Sequence, residues 1–553
     1  MWKNTKRGPL QTDPLLREHA FEERDPIIKE PCLCLKGLCG SFLLLFMLLL
    51  MLITCWYVSL SSIYHEEFLF TLDRNNQPSH LISKKFASFG LDTSLLGKDF
   101  GNLNLSDDST INFIRHLAPG HLRFGGTLSD RLLFIENGSK ARNKRDGLFD
   151  GSICSYEHRE CKKPDPTDIL ILTGEDLLQI ASFASKTGLT LLFDLNVLIR
   201  NDNGWFSKNA EDLIKFCDTH NLDINWQLGN EPNSFKHVFG ALVEAAQLAK
   251  DYKKLREILS SYPRYSRSFI TGPETTRPLS FDSDSAKYMK EFLFAEQDSI
   301  NVFSWHQYYM SGREAVLSNF LDPNMFNLLH DQIVIVKKII SKYGSTNMPI
   351  WISETGSAYG GGAPGLSNTF AGSFIYLDKL GLSAKLGIDV VIRQSLYGAA
   401  YTMISEQMEP LPDWWIAVLY KTLVDERVLR SQSHSNGLIR LYAHCTPNSV
   451  HVSNNATLTV FGMNLKDSDQ IVRFNGALYN NMPATVRAYY VTPYKDNLQA
   501  IHAVLNGMIL KLTEDGNLPE FKPILLDSRH PIYIPKYSIA FWVFHGVDFP
   551  ACN

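Results

Sequence analysis

The chain has 553 residues, of which 44% are hydrophobic and 20% are charged, a composition typical of folded globular proteins rather than disordered ones. This length exceeds what a single hydrophobic core usually contains, so we expect two or three structural units. The net charge of −4 and the pI near 6.5 provide no overall attraction for nucleic acid, and no nucleic-acid partner is expected.

A long apolar run near the N-terminus is the first element along the chain. Residues 41–63 are 23 mostly apolar residues, and no charged residue lies between Gly37 and Tyr64. About 20 helical residues cross a bilayer, whereas the apolar region of a cleaved signal peptide has roughly 7–15 residues. Because about 40 residues precede the run, the pattern favours an uncleaved transmembrane signal-anchor over a cleaved signal peptide.

The charges that flank this run predict its orientation. Lys29 and Lys36 precede it, whereas His65, Glu66 and Glu67 follow it. Positive charges are retained on the cytosolic side of a membrane. Residues 1–40 are therefore predicted to form a cytosolic tail. The rest of a single-pass type II membrane protein would be extracellular or lumenal, at the cell surface or in the Golgi or lysosome.

Cysteines and glycosylation sequons agree with that topology. Cys154 and Cys161 are close together in a polar stretch, and Cys445 and Cys552 bracket the C-terminal part. In an oxidising compartment these two pairs are the expected disulfides, although sequence alone does not establish connectivity. Three Asn-x-Ser/Thr sequons fall on the predicted lumenal side, at Asn104, Asn137 and Asn455.

Eight short apolar runs alternate with amphipathic segments in the central part of the chain. Such runs are typical of buried strands, and eight strand–helix units predict a parallel (β/α)8 TIM barrel over residues 66–427. A doubly wound sheet also alternates in this way, but no G-x-G-x-x-G follows an early strand. The predicted strands cover 86–92, 121–126, 189–196, 224–230, 268–274, 301–309, 348–355 and 387–394.

A polar segment over about 135–168 separates the second predicted strand from the following helix, and we interpret it as a surface insertion. It contains "RNKR" (142–145), the form cut by furin-like proteases, which would cleave after Arg145. A solvated basic patch is the alternative interpretation of these four residues.

The sequence changes character beyond about residue 428. Short β-rich runs are separated by turns, and no long helical pattern follows. Residues 428–553 are therefore predicted to form an antiparallel β-sandwich, to which residues 67–75 would add a strand.

Two glutamates stand at the ends of predicted barrel strands. Glu231 in "WQLGNEPNSF" ends the fourth strand, and Glu354 in "PIWISETGSAYGGGAP" ends the seventh. Strand ends of a barrel open onto one face, so the two carboxyl groups can lie across a cleft from each other. Glycoside hydrolysis needs such a pair, one carboxyl group protonated and the other ionised. Strand-end glutamates can also be purely structural, and the surrounding residues favour the catalytic interpretation.

No metal or cofactor is expected at this site. No Cys/His cluster has the spacing of metal ligands, and the "YGGG" loop follows a carboxylate instead of opening a dinucleotide-binding unit.

Several motifs together resemble the heparanases, endo-β-glucuronidases of glycoside hydrolase family 79 within the retaining clan A barrels. They are "LRFGGT" (122–127), "WQLGNEPNSF" (226–235), "YYMSGR" (308–313), the long block 353–394 and "LNGMILKL" (505–512). The resemblance implies that Glu231 is the acid/base and Glu354 the nucleophile, and that the substrate is heparan sulfate. A retaining mechanism implies carboxyl groups about 5–5.5 Å apart.

The same resemblance implies a set of substrate-binding residues. His306 and Arg123 also match the family pattern, as substrate contacts or as supports of the barrel mouth. Thr402 falls where the family has a late substrate tyrosine, with Tyr401 beside it, and neither is assigned that role. The implied substrate-binding residues are Asp92, Thr127, Asn230, Tyr308, Arg313, Gly360, Gly361 and Gln394.

The sequence also departs from the family pattern. Where the family has a basic heparin-binding run after the fifth strand, residues 272–290 carry Arg277 as their only early cation. Weaker binding of highly sulfated chains is therefore expected, since polyanion binding depends on such cations. Two alternatives stay open: an exo-acting β-glucuronidase of the same family, and a non-catalytic protein that binds heparan sulfate.

Overall fold

The computed structural model describes residues 45–54, 67–137 and 169–552, apart from 203, 297, 346, 435, 451–456 and 548, and the backbone of 153–154 and 161–162. Two units are separated between His65 and Glu66. In the first unit, residues 45–54 form a helix.

The predicted membrane-spanning anchor at 41–63, with the type II membrane location that follows from it, is wrong. Among the helices of the described residues, none combines the length and the apolar character needed to cross a membrane.

Several other predictions fall on residues outside those described. They are the tail 1–40, the basic site at Arg145 with most of the insertion, and Asn455. Asn104 and Asn137 are exposed. Residues 153–154 and 161–162 form a two-stranded antiparallel sheet in which Cys154 is the register partner of Cys161.

Eight parallel strands confirm the predicted barrel. Their order in the sheet is β4-β3-β2-β1-β8-β7-β6-β5, and a bridge between Trp226 and Ile270 joins the two edges. The barrel is nearly closed there, because the Trp226 amide donates to the Phe269 carbonyl at 2.9 Å. The strands are β1 (Ala87–Asp92), β2 (Gly120–Gly125), β3 (Leu189–Leu195), β4 (Ile224–Leu228), β5 (Thr271–Thr275), β6 (Val302–Gln307), β7 (Ile350–Thr355) and β8 (Val390–Arg393).

The barrel strands are covered on both sides, which is why they are apolar almost throughout. Every residue of β2, β6 and β7 is buried. Besides His121 at the start of β2, three ionisable side chains nevertheless occur in these strands, Arg123, His306 and Glu354, and each is at most 9% exposed. Charges buried in this way require partners, so these residues indicate where the site lies.

In the part of the chain that the structure describes, one helix of eight or more residues follows each barrel strand. The helices are α1 (Asp108–Arg115), α2 (Gly174–Thr187), α3 (Lys208–Thr219), α4 (Ala245–Ser260), α5 (Asp284–Ala295), α6 (Pro323–Tyr343), α7 (Phe370–Lys385) and α8 (Pro412–Leu423). Local signals fix their ends. For α2, Thr173 and Asp176 form a capping box and Gly188 ends the helix at φ 75°.

Helix α7 lies between the barrel and the C-terminal sheets, and all of its residues from Phe370 to Ala384 are buried. On one side the Lys379 ammonium donates to the Gly356 carbonyl at 2.7 Å, just after β7. On the other side the Asp378 carboxylate accepts from Arg440 Nε at 2.6 Å. The C-terminal residues are thus joined directly to the strand that carries Glu354.

The C-terminal residues form two sheets that share one hydrophobic cluster, which includes Phe70, Val472 and Trp542. The first sheet has the strand order Ser431–His434, Glu67–Leu72, Gln470–Gly476 and Ile532–Ile534. The second contains His80–Leu81, Arg427–Val428, Ile439–Cys445, Thr457–Asn464, Ser538–His545, Thr485–Pro493, Ala503–Leu505 and Met508–Ile509, with Ile524–Asp527 paired to Thr485–Pro493.

Cys445 and Cys552 form a disulfide across 107 residues of sequence, with their Cα atoms 5.4 Å apart. It ties the strand Ile439–Cys445 to the turn Pro550–Cys552 near the end of the chain. Closing so long a loop removes conformational entropy from the unfolded chain.

Replacing both cysteines by serine is therefore expected to lower the free energy of unfolding by about 2–5 kcal/mol. Thermal denaturation with and without a reducing agent measures the effect. The wild-type melting temperature should fall on reduction, and by more than that of the double variant. A wild-type transition that is insensitive to reduction contradicts the prediction.

Candidate active site

Glu231 lies three residues beyond β4, in a backbone conformation that aims its side chain into the barrel mouth. Its φ and ψ are 56° and 53°, the left-handed region that non-glycine residues rarely adopt. Pro232 follows as the first residue of a one-turn helix, Pro232–Ser234, and the Glu231 amide donates to the Glu274 carbonyl at 3.0 Å. The Glu231 side chain is 27% exposed and so accessible from the cleft.

Glu354 is the fifth residue of β7 and faces it from across the barrel. The Tyr308 hydroxyl donates to Glu354 Oε1 at 2.8 Å, and Arg123 Nη1 donates to Oε2 at 2.8 Å. His306 Nδ1 lies 4.0 Å from Oε1. Two donors and a nearby imidazole orient this carboxylate.

Arg123 connects the side chains at the floor of the site through hydrogen bonds. Its Nε donates to Gln227 Oε1 and its Nη2 to Asn230 Oδ1, both at 2.8 Å. Nη2 also lies 3.6 Å from Asp194 Oδ2. The planar guanidinium fork fixes the directions of these contacts, which an ammonium group would not do.

The buried charges determine the ionisation of Glu354. Burial alone would raise its pKa, but the charges of His306 and Arg123, with hydrogen bonds from Tyr308 and Arg123, hold the pKa below its usual value. Burial disfavours the charged form of His306 as well, yet the nearby carboxylates Glu354, Glu231 and Glu274 raise its pKa to about 10. At neutral pH the site therefore contains an ionised Glu354 next to a protonated imidazole.

The two glutamates are close enough to act on one bond. Glu231, His306 and Glu354 offer three ligand atoms that all lie within 4.8 Å of one another, so a carboxyl oxygen of Glu231 lies within that distance of one of Glu354. Such a cluster also has the form of a metal site, but Arg123 and the protonated His306 already neutralise its carboxylates. The absence of a metal from the reaction stays a prediction.

Two of the predicted substrate-binding residues, Asp92 and Gln394, contact each other near Glu354. Asp92 ends β1, and its Oδ2 accepts from Gln394 Nε2 at 2.9 Å. Burial raises the pKa of Asp92. Thr127 is exposed and begins the one-turn helix Thr127–Arg131. The residue before it must be glycine, because a Cβ at Gly126 would lie 2.6 Å from Asp92 Oδ2.

Asn230 is held from both sides. Its amide donates to Asp130 Oδ2 at 2.8 Å, and its Oδ1 accepts from Arg123. The side-chain NH2 group is then the part of Asn230 that can donate to a sugar hydroxyl.

Arg313, Gly360 and Gly361 lie together on two packed loops at the mouth. The strand pair Met310–Ser311 and Ala358–Tyr359 joins these loops, and the Gly312 amide donates to the Tyr359 carbonyl at 3.0 Å. Arg313 and Gly360 are exposed.

Some functional residues were not assigned from the sequence. The Tyr401 ring stacks on Tyr308 with centroids 6.4 Å apart, whereas the Thr402 hydroxyl donates to the Ile404 carbonyl at 2.6 Å. Tyr401, not Thr402, thus lies beside Tyr308, the residue that donates to Glu354. Glu274 and Asp194 were also missed. The signal for both was an acidic residue within an apolar strand.

A parallel barrel that presents two glutamates at this spacing, with one of them held ionised, defines a glycoside hydrolase. The sequence profile of glycosyl hydrolase family 79, N-terminal domain, matches residues 93–381. The chain belongs to this family and is heparanase-like.

Relatives cover most of the chain. Heparanase of Bos taurus is 33% identical over 504 residues, 86% of this chain and 91% of that protein. Inactive heparanase-2 of Mus musculus is 30% identical over 544 residues, 88% of this chain and 90% of the relative. A 4-O-α-L-rhamnosyl-β-D-glucuronidase from Fusarium oxysporum shares the fold, with a TM-score of 0.58 at 16% identity over 86% of this chain and 100% of its own.

Removing the Tyr308 hydroxyl by Tyr308→Phe should raise the pKa of Glu354, because one hydrogen bond that favours the carboxylate is lost. A hydrogen bond to a charged group contributes about 1.5–3 kcal/mol, which corresponds to about one to two pH units. The acidic limb of the plot of kcat/KM against pH should therefore move to higher pH. The substrate for this measurement is a chromogenic glycoside that the wild-type chain hydrolyses.

The matched control is Tyr309→Phe, at a buried tyrosine whose hydroxyl has no hydrogen-bond partner among the described residues. Its acidic limb should coincide with that of the wild type. An unshifted limb in Tyr308→Phe would show that this hydroxyl does not set the ionisation of Glu354.

Proposed function

We propose that this glycosidase is a retaining endo-β-glucuronidase that cleaves heparan sulfate. The observation that carries the proposal is the spacing of the carboxyl groups. Retaining enzymes have theirs about 5–5.5 Å apart, whereas inverting enzymes leave about 6.5–9.5 Å for a water molecule. Carboxyl oxygens of Glu231 and Glu354 within 4.8 Å of each other fit the first class.

In the first step, Glu354 attacks the anomeric carbon and Glu231 gives its proton to the departing glycosidic oxygen. The bond between the anomeric carbon and that oxygen breaks as the glycosyl–Glu354 ester forms. Arg123 and Tyr308 hold the Glu354 carboxylate ionised and oriented for this attack. The Asn230 NH2 group is positioned to donate to a hydroxyl of the bound sugar.

In the second step, the ionised Glu231 removes a proton from water, whose oxygen attacks the anomeric carbon and breaks the ester. Glu354 returns to its carboxylate form and Glu231 is protonated again. Two inversions at one carbon retain its configuration.

The substrate class is inferred from the names of the relatives and from the cleft. One relative is a heparanase and a structural neighbour is a β-D-glucuronidase. A cavity of about 300 Å³ adjoins Glu231 and is lined by Arg277, Tyr308 and Tyr359. The Arg277 guanidinium lies 5.1 Å from the centre of the Tyr359 ring, so a cation and an aromatic face adjoin the acid/base. Both groups suit an anionic sugar.

Further features remain proposals that rest on the sequence. The first is the division of the chain into a barrel at 66–427, with an insertion at about 135–168, and a sandwich at 428–553 joined by a strand from 67–75. The others are covalent modifications: the Cys154–Cys161 disulfide, glycosylation at Asn104, Asn137 and Asn455, and cleavage after Arg145.

Size-exclusion chromatography of heparan sulfate after incubation with the full-length chain tests the function. The wild type should convert long chains to mid-sized fragments, whereas Glu354→Gln and Glu231→Gln should each lose at least 99% of this activity (about 10²-fold or more). Glu257→Gln, at an exposed position of α4, is the matched control and should behave as the wild type.

Other outcomes identify the alternatives. Release of single uronic acid residues with little change in chain length would indicate exo-hydrolysis. Bound but uncut chains, also after proteolysis at Arg145, would indicate a binding protein. Wild-type fragmentation by Glu354→Gln would overturn the assignment of the nucleophile.

A further inference from the structure

Glu274 is a third glutamate at the barrel mouth, and the reaction outlined above does not use it. It lies in β5, is 0% exposed and has φ 57°. Its backbone carbonyl accepts from the Glu231 amide, so the left-handed turns at Glu274 and Glu231 are hydrogen-bonded to each other. Left-handed backbone at a non-glycine residue is costly and persists only where the surrounding structure enforces it.

The Glu274 carboxylate is fully surrounded by donors. Oε1 accepts from the hydroxyls of Thr271, at 3.0 Å, and Ser304. Oε2 accepts from the Ser353 hydroxyl at 2.6 Å and contacts His306 Nε2 at 3.0 Å. No opening to the cleft remains, and this group cannot touch the substrate.

His306 connects Glu274 to the acid/base. The imidazole side chain is 0% exposed, its Nε2 faces Glu274 and its Nδ1 lies 3.1 Å from Glu231 Oε1. The other charged groups around the ring are Glu354, with Oε1 at 4.0 Å from Nδ1, Arg123 and Asp194. A neutral imidazole has one donor nitrogen, so both carboxylates receive a hydrogen bond only when both ring nitrogens carry protons.

We propose that Glu274 is a positioning residue that keeps His306 doubly protonated, so that His306 occupies Oε1 of Glu231 and places the acid proton on Oε2. This inference rests on the proposed role of Glu231 as the acid/base. His306 transfers no proton. It donates to Oε1 when Glu231 is protonated, and it stabilises the carboxylate that remains after Glu231 has given up its proton.

The ionisation of the pair agrees with this role. Burial would raise the pKa of Glu274, but the hydrogen bond and charge of His306, followed by Arg123 and Ser304, hold the pKa below its usual value. With Glu274 ionised, a proton moved from His306 to Glu231 would remove the closest cationic partner of the buried Glu274 carboxylate, which is disfavoured.

The primary test is ¹⁵N NMR of histidine-labelled full-length protein, with the His306 signals assigned from His306→Gln. In the wild type, both ring nitrogens of His306 should stay protonated up to pH 8. In Glu274→Gln, which preserves shape and an acceptor oxygen, the protonation midpoint should fall by at least one pH unit, a tenfold change in the equilibrium constant. In Ser353→Ala, which removes a hydrogen bond to Glu274 but no charge, His306 should stay protonated.

Measurement of kcat and KM provides a second test. Glu274→Gln should lower kcat tenfold or more and change KM less than twofold, whereas Glu274→Asp, which keeps the charge, should recover part of the loss. A neutral His306 in the wild type at pH 7 overturns the proposal whether or not any variant folds. Equal midpoints in wild type and Glu274→Gln also overturn it. Because the NMR result does not depend on turnover, failure of the hydrolase assignment would be recognised separately.

Discussion

The balance of buried charge around Arg123 determines how the rest of the barrel mouth is built. Its guanidinium reaches Glu354, Gln227 and Asn230 at once, and thereby joins side chains from β2, β4 and β7. A buried cation without partners would cost several kcal/mol, and removal of one partner leaves the other charge uncompensated. Glu354 and Asn230, the residue before Glu231, are therefore both held by hydrogen bonds from Arg123.

Charge balance also explains which buried acids are ionised. Burial raises the pKa of Asp194 to about 7 despite the opposing charge of Arg123, and burial and the Asp194 charge raise the pKa of Asp130. Glu354 and Glu274, in contrast, are held ionised by His306 and Arg123. The two buried cations, His306 and Arg123, thus face two buried anions, Glu354 and Glu274.

The barrel and its two strand-end glutamates could be predicted from the sequence, because apolar runs and their ends are properties of contiguous residues. The partners of those glutamates could not. Glu274 becomes significant only because its carbonyl meets Glu231 and its carboxylate meets His306, contacts that join β5 to β4 and β6.

Helix α7 has a consequence for how the molecule can be divided. The family match ends at residue 381, inside this helix, where a Cβ on Gly381 would come within 2.2 Å of the Tyr442 ring of the C-terminal sheet. Cutting the chain there would expose a helix that is buried on every side and would release Asp378 from Arg440. The sheets thus act as a permanent cover for the barrel, so a fragment limited to the matched residues would aggregate instead of folding as a smaller enzyme.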